Sequence, residues 1–214
     1  MDEFQETTRN KVARIPKRGR YDKKTVYGIL DAGFVCHVSF VVEDQPFLIP
    51  TLYARVGDAV YVHGSRISRM LQHAATGAAM CLAVTLVDAL VLARSAFNHS
   101  MNYRSVVIFG TGLLITDGDE KLSALRAISD NAIRDRWDHI RAPSQKELNA
   151  TAVIRIDIEA ASAKIREGMP IDDKADYSLP IWAGILPIEQ RFGTPVRDDV
   201  LADDIALPDH LTSF

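Results

Sequence analysis

Between residues 33 and 63 the apolar side chains recur with a period of two, and this pattern constrains the fold more than any other. Alternation with period two indicates β-strands, and turns of two or three residues join antiparallel neighbours. The segment therefore predicts a meander of three antiparallel strands. The strands are Phe34 to Glu43, Pro46 to Val56 and Ala59 to His63, and the turns are Glu43-Asp44-Gln45 and Gly57-Asp58.

Two later features suggest that this meander belongs to a barrel. Proline cannot donate a ladder hydrogen bond, so Pro50 inside the second strand predicts a bulge, a sheet edge or a bend. Tyr103 to Thr116 is another strong strand, and it contains Gly110 and Gly112. Glycines inside a strand indicate close backbone approach or a sharp barrel bend.

The remaining segments supply further strands and a few covering helices. Ala79 to Arg94 predicts a long strand with a bulge or turn at Val87-Asp88-Ala89. Further elements are a helix between Asp22 and Gly33, a helix from Asp117 to near Trp137, a capping box of Ser144 with Glu147, and strands Thr151 to Ile158 and Leu179 to Ile188. The pattern predicts a mainly β fold: a closed or split antiparallel β-barrel covered by helices.

The chain of 214 residues suits one domain with extensions at its ends. Residues 1–20 are polar and then basic, which predicts an N-terminal arm. Residues 21–190 are assigned to the barrel. Residues 191–214 are acidic with two prolines, which predicts an extended C-terminal tail.

Composition excludes several classes of function. A net charge of −3 gives no argument for nucleic acid or an anionic membrane as a partner. Cys36 and Cys81 each lie in an apolar run, which indicates buried thiols and not a disulfide framework or a metal site. The polar N-terminus has no signal core, and the longest apolar run, Ala78 to Ala93, is too short for a membrane span. A soluble cytoplasmic protein is expected.

The segment Tyr61 to Met70 is the first candidate for binding chemistry. Its sequence predicts a strand that ends at His63, a turn at Gly64 and a helix that opens near Ser65 and continues to about Thr76. Unpaired N–H groups and the dipole make a helix N-terminus suitable for anions. Ser65, Ser68, Arg66 and Arg69 would line this end, which suggests a phosphate site. The alternative is an ordinary Ser-capped helix with solvated arginines.

No common catalytic constellation is visible elsewhere in the sequence. There is no Ser–His–Asp set, no Walker loop and no His-x-x-x-His pair, and Gly110-Thr111-Gly112 is too incomplete for a dinucleotide-binding turn. A cofactor site is therefore the best interpretation of the chain.

An ordered set of short segments indicates a protein family that has such a cofactor site. The set comprises Arg18-Gly19-Arg20-Tyr21, Cys36-His37-Val38, Pro46 to Tyr53, Tyr61 to Ser65, Ser68-Arg69, Arg94 to Phe97, His99 to Val106 and Pro180 to Gly184. From about Arg14 to Pro187 the chain resembles the pyridoxamine 5′-phosphate oxidase-like proteins, whose fold is the FMN-binding split barrel. It is most similar to the subgroup that includes the nitroimidazole-resistance proteins.

The resemblance implies a homodimer with FMN at the subunit interface. Leu48, Ile49, Pro50 and Thr51 would lie along the flavin ring, and Ser68 with Arg69, next to Ser65, would hold the phosphate. His63 corresponds to the strand-end histidine of the nitroimidazole subgroup. Arg104 and Ser105 would meet the cofactor at a strand start, from either subunit, and Trp182 would pack near the flavin. Met70 stands where many relatives carry Lys, a loss for which Arg66 or Arg69 would compensate.

Several of these residues also have simpler explanations. His63 could be a satisfied histidine at a strand end, and His37 a core or interface histidine. Trp182 could serve core or dimer packing. Arg94 could be an ion-pair partner, and Asp88 a turn residue.

Four functions remain open at this point. The first is an FMN-dependent oxidoreductase acting on an unidentified small molecule. The tail from Trp182 to Gly193 lacks the Arg-x-His motif with which true pyridoxamine 5′-phosphate oxidases bind their substrate. This absence counts against vitamin B6 oxidation. The second is a non-catalytic FMN carrier or sensor. The third is a haem-binding barrel, with His37, His63, His73 or His99 as axial ligand. The fourth is a dimeric barrel with an empty cleft. An absorbance spectrum distinguishes flavin, haem and an empty protein.

Overall fold

A computed structural model describes residues 2–212 of the chain. Within these residues there are nine β-strands and four α-helices. The strands are β1 (Gly19–Arg20), β2 (Val35–Val42), β3 (Gln45–Val56), β4 (Ala59–Ser65), β5 (Ala79–Leu92), β6 (Ser100–Leu114), β7 (Thr151–Asp157), β8 (Ala160–Arg166) and β9 (Gly184–Pro187). The helices are α1 (Lys23–Ala32), α2 (Arg69–Ala74), α3 (Gly118–Ala132) and α4 (Gln145–Ala150).

The strands form one antiparallel sheet that closes on itself. Its order is β1-β8-β6-β7-β4-β3-β2-β5-β9, and β5 also pairs with β6. This extra pairing closes the ring β6–β7–β4–β3–β2–β5, while β1, β8 and β9 extend it. The predicted mainly β, antiparallel barrel is therefore confirmed.

Apolar side chains fill the barrel and cover one part of its outside. Inward-facing residues such as Val38, Leu82, Ile108 and Ile154 have almost no exposed surface. A second cluster lies outside the barrel, where Ile128 of α3 packs with residues of β3, β4 and β7. Because both faces of β4 are covered, its first four residues are all buried. The helix α3 is thus fixed beside the end of β4.

The two glycines of β6 mark places where another chain segment comes very close. A β-carbon on Gly110 would lie 2.0 Å from the carbonyl oxygen of Asp157, and one on Gly112 would lie 2.5 Å from that of Ala74. The expected close backbone approach is confirmed at both positions. The predicted bulge in β5 is also present, between Val87 and Ala89.

Local capping signals predicted two helix starts correctly. The Asp22 carboxylate accepts a hydrogen bond from the Thr25 backbone N–H at the start of α1. Ser144 and Glu147 form the reciprocal capping box of α4.

Both cysteines are free thiols, and burial raises the pKa of Cys36 to about 12. Among the described residues, no helix is both long enough and apolar enough to span a bilayer.

Three predicted boundaries are wrong. The helix expected to open near Ser65 begins at Arg69, because β4 continues through Ser65 by pairing with β7. The helix that follows Asp117 ends at Ala132, and Trp137 lies in a separate 3₁₀ turn, Arg136–His139. The last strand is limited to Gly184–Pro187, where β5 offers partners. In each case, pairing or packing with a distant segment overrides the local pattern.

Candidate cofactor site

The barrel wall splits between β3 and β4. These two strands pair only from Tyr53↔Val62 to Val56↔Ala59. Beyond that point β3 continues beside β2, and β4 continues beside β7. Residues 45–52 therefore keep a neighbour on one side and present an open strand edge on the other.

Pro50 lies on this open edge. The register between β2 and β3 is unbroken, with His37 opposite Pro50, so the strand has no bulge there. Of the three predicted explanations for Pro50, the sheet edge is the correct one. Leu48, Ile49 and Thr51 lie on the same stretch, and the Leu48 side chain is 60% exposed.

Three predicted residues meet at a surface pocket of about 560 Å³ beside this edge. Ile49, Ser68 and Arg69 all line it, together with Phe47. The Arg69 guanidinium carbon lies 4.5 Å from the centroid of the Phe47 ring, which is a cation–π contact. Ser68 occupies the N-cap of α2 but its side chain makes no capping hydrogen bond. Its hydroxyl, the Arg69 guanidinium and the Gln72 amide are the polar side-chain groups that line this pocket.

His63 lines a second cavity, of about 550 Å³, on the α3 side of β4. Its Nδ1 atom is buried and has no hydrogen-bond partner. Burial lowers the pKa of His63, so the imidazole is neutral at pH 7. The other lining residues are mostly apolar: Leu52, Leu125, Ile128, Trp137, Ile140 and Pro143, with Ser129, Arg141, Glu147 and Thr151 as the polar ones. The Arg141 guanidinium is held by Glu147 through two contacts of 2.6 and 2.8 Å.

The other predicted site residues lie apart from these two pockets. Ser65 is exposed at the end of β4, where its Oγ accepts a long contact of 3.5 Å from the Ile67 N–H. Arg104 donates to Asp88 at 2.7 Å, next to the bulge of β5. The Ser105 hydroxyl donates to the carbonyl of Lys164. Trp182 is 69% exposed, so it does not belong to the core of this chain. One chain thus brings together Ile49, Ser68 and Arg69, and does not bring Arg104, Ser105 or Trp182 to them.

The remaining residues singled out in the sequence have clear surroundings. Arg94 forms an ion pair of 2.9 Å with the buried carboxylate of Asp172, as its simpler explanation predicted. His37 is exposed on β2 and is therefore not a core histidine. The His73 ring packs 5.4 Å from Phe40, and His99 Nε2 lies 3.1 Å from the Ala93 carbonyl oxygen. Within residues 2–212, no cluster of three His, Cys, Asp or Glu side chains could hold a metal ion.

Sequence patterns missed part of the second cavity. Trp137 and Ile140 line it from the 3₁₀ turn Arg136–His139 and the residue that follows. The helical pattern was expected to run to near Trp137, and it gave no indication that Trp137 and Ile140 would lie beside His63. Only the packing of the segment against α3 places them there.

Comparisons with known proteins identify the family and its fold. A family model described as pyridoxamine 5′-phosphate oxidase matches residues 22–165. The structure of the flavocytochrome Anf3 from Azotobacter vinelandii is 39% identical, with 97% of each chain covered and a TM-score of 0.90. The FAD and haem binding protein from Mycobacterium smegmatis is 34% identical, with 91% of this chain and 96% of the other covered and a TM-score of 0.87.

A more distant structure shares the fold. It is described as a 5-nitroimidazole antibiotic resistance protein of Bacteroides thetaiotaomicron, and it is 21% identical over 69% of this chain and 86% of its own, with a TM-score of 0.58. The comparison with curated proteins gave no match.

Proposed function

Because the chain belongs to the pyridoxamine 5′-phosphate oxidase family, we propose that it is a redox protein that binds a flavin together with haem. The main support is the likeness to two proteins over more than nine-tenths of the chain. One is named a flavocytochrome and the other a FAD and haem binding protein. A bound flavin supplies hydride and single-electron transfer, and haem supplies single-electron transfer.

The flavin would lie along the split in the barrel wall. The open edge of residues 45–52 offers unpaired backbone groups to the polar edge of a flavin ring. The Ser68 hydroxyl and the Arg69 guanidinium, beside Ile49, fit a phosphate. FMN is the flavin that the family resemblance implies, while the name of the M. smegmatis relative favours FAD.

The cavity lined by His63 suits haem. A neutral imidazole is the form that ligates iron, and burial keeps His63 neutral. Its walls are mostly apolar, and its cation, Arg141, is already paired with Glu147. The unpartnered Nδ1 of His63 is a buried polar atom that a bound group or water would have to accommodate. His63 is thus our candidate axial ligand, with direct contact to the flavin as its alternative role.

A second copy of the chain would complete the flavin site. Val41, Leu48 and Leu52 point to one face of the β2–β3 ladder and are exposed. A dimer that covers this face would bury them and bring Arg104, Ser105 or Trp182 of the partner to the open edge. We therefore propose a homodimer that acts in the cytoplasm as an oxidoreductase on a small molecule. A flavin carrier without turnover is the alternative.

An absorbance spectrum of the purified protein tests this function. We expect flavin bands that survive desalting and a Soret band, with the flavin identified as FMN or FAD by chromatography after denaturation. Protein without chromophore is then incubated with FMN, FAD and haemin in turn. A spectrum with flavin bands and no Soret band would support flavin binding and reject haem binding. A protein that shows no chromophore after reconstitution would reject both.

A further inference from the structure

The chain that follows β9 forms a strap, which we define as residues 189–212. Its one regular element is the short 3₁₀ turn Asp209–Leu211. Arg197 folds the middle of the strap into a loop by donating hydrogen bonds to three strap carbonyls. Every hydrogen bond described for residues 193–212 joins two residues of that same stretch. Side-chain packing must therefore hold this part of the strap to the rest of the protein.

Two aromatic stacks join the strap to the rest of the chain. Near its start, the rings of Phe192 and Phe34 stack with their centroids 6.2 Å apart. Near its end, the rings of His210 and His139 stack with their centroids 4.0 Å apart and an angle of 17° between their planes. The second stack fixes the end of the strap to the 3₁₀ turn Arg136–His139.

This turn belongs to a segment that forms part of the cavity of His63. Residues 133–144 connect α3 to α4, and we call them the wall segment because Trp137 and Ile140 line the cavity from it. The Trp137 backbone N–H donates to the Asp130 carboxylate of α3 at 3.0 Å. The wall segment is thus held by α3 at one contact and by the strap at another.

The contact with the strap is sensitive to charge. Both ring nitrogens of His210 are buried without a hydrogen-bond partner. His139 and Arg136 of the wall segment add positive potential at this ring, Asp135 opposes them, and Asp209 is the acidic neighbour in the turn of His210 itself. Burial, His139 and Arg136 lower the pKa of His210 below 6.5. A proton on His210 would therefore be both poorly solvated and repelled by Arg136.

We propose that the strap is a pH-sensitive device that controls access to the cavity of His63. Docking of His210 on His139 holds the wall segment in place, and protonation of His210 releases it. The stack is fully formed above about pH 6.5 and is lost as the pH falls toward the lower pKa of the docked ring.

Release would move the wall segment without unfolding it. The contact of Trp137 with Asp130 remains, and so does an ion pair of 2.6 Å between Arg126 of α3 and Asp138. The segment would therefore shift about its attachment to α3, and Trp137 would become more exposed to solvent. This inference does not depend on which group the cavity holds.

The two tryptophans of the chain provide the measurement. The full-length protein, as purified, is labelled with 5-fluorotryptophan, and Trp182→Phe assigns the two ¹⁹F resonances. The change of each resonance between H₂O and D₂O reports the solvent exposure of its fluorine. Between pH 8 and pH 5.5 we expect the Trp137 resonance to shift and its solvent response to increase. The Trp182 resonance should stay in place and serves as the internal reference.

Two substitutions of His210 separate docking from titration. His210→Gly removes the ring, so the Trp137 resonance should take the acidic position of the wild type already at pH 8. His210→Phe keeps a ring that can stack and cannot take a proton, so the resonance should keep its pH 8 position at pH 5.5. His99→Gln should titrate as the wild type does, because the His99 ring contacts the Ala93 carbonyl, away from the strap.

Three results would overturn the inference. A Trp137 resonance in His210→Gly that equals the wild type at pH 8 would show that the strap does not hold the wall segment. An acid shift in His210→Phe as large as that of the wild type would assign the titration to another group. A shift of the Trp182 resonance together with that of Trp137 would show that the acid change is global. None of these measurements requires a flavin or haem to bind, so a failure of the proposed function is recognised separately.

Discussion

The imidazole rings of His139 and His210 stack with their centroids 4.0 Å apart. This contact docks the C-terminal segment onto the 3₁₀ turn Arg136–His139, whose Trp137 lines the cavity of His63. Both ring nitrogens of His210 are buried without a hydrogen-bond partner. A proton on the His210 ring would place a charge in the stack beside Arg136, so the contact favours a neutral His210.

Stability should therefore fall at acidic pH through His210. Burial, His139 and Arg136 lower the pKa of His210 from 6.5, and Asp135 opposes them. A folded pKa below the unfolded one means that the unfolded chain binds the proton first. The stabilising contribution is complete above about pH 6.5 and decreases as the pH falls from there toward the lowered pKa of the folded state.

Melting temperatures of wild type and His210→Gln between pH 8 and 5 measure this contribution. We expect the difference between the two proteins to shrink toward pH 5. His99→Gln serves as the control, because the His99 ring already has a partner in the Ala93 carbonyl. A wild-type minus His210→Gln difference that is constant across the range would contradict the prediction.

Removal of the His63 imidazole should abolish binding of the proposed haem and leave binding of the proposed flavin in place. In His63→Gln we expect the Soret band to disappear and flavin bands to persist, because the variant loses the proposed iron ligand and keeps Ser68 and Arg69. His73→Gln, with its ring packed against Phe40, should retain both sets of bands. Loss of flavin with retention of haem would instead assign His63 to the flavin.

Loss of the Arg69 charge should weaken flavin binding by about 1–3 kcal/mol, or about 5- to 150-fold, which is typical of a charge-assisted contact. Arg69→Ala is titrated with flavin and compared with Arg134→Ala, a change at an exposed arginine of the segment after α3. An unchanged affinity in Arg69→Ala would place the phosphate elsewhere.

A side chain at Gly110 should destabilise the barrel. The added β-carbon of Gly110→Ala would collide with the Asp157 backbone, and overpacking typically costs about 1–3 kcal/mol, occasionally more. Gly118→Ala provides the matched control, because no atom lies within 4 Å of its added carbon and it begins α3. Denaturant midpoints of the two variants report the difference, and similar midpoints would show that β6 can shift away.

A charge on the open edge should break the proposed dimer. Leu48→Glu places a carboxylate on the face that a second copy would cover, so we expect a monomer by light scattering and weaker flavin binding. Leu113→Glu changes an equally exposed leucine of β6 and should leave the dimer intact. A monomeric wild type that binds flavin tightly would refute the interface.

Much of the barrel follows from local patterns. Period-two alternation located β2 and β3, because a strand with one buried face must alternate, and the turn at Gly57-Asp58 located the start of β4, whose two faces are both covered. Gly110 and Pro50 were informative for steric reasons, since one has no β-carbon and the other no N–H. For the site, the same patterns selected Ile49, Ser68 and Arg69, which the fold brings to one pocket. They placed Trp137 near the end of a helix and gave no sign that it would line the cavity of His63.

The end of β4 shows where local information stops. Gly64 and Ser65 have the local features of a turn and a helix cap, yet they extend the strand because Ala152 and Thr151 of β7 pair with them. That pairing carries β4 past the last β3 partner, opens the split and turns His63 toward α3. The alternation of apolar residues sufficed to specify the strands, because it depends on neighbours one and two positions away. The split and the two pockets beside it depend on segments far apart in the chain, which only the closed sheet brings into contact.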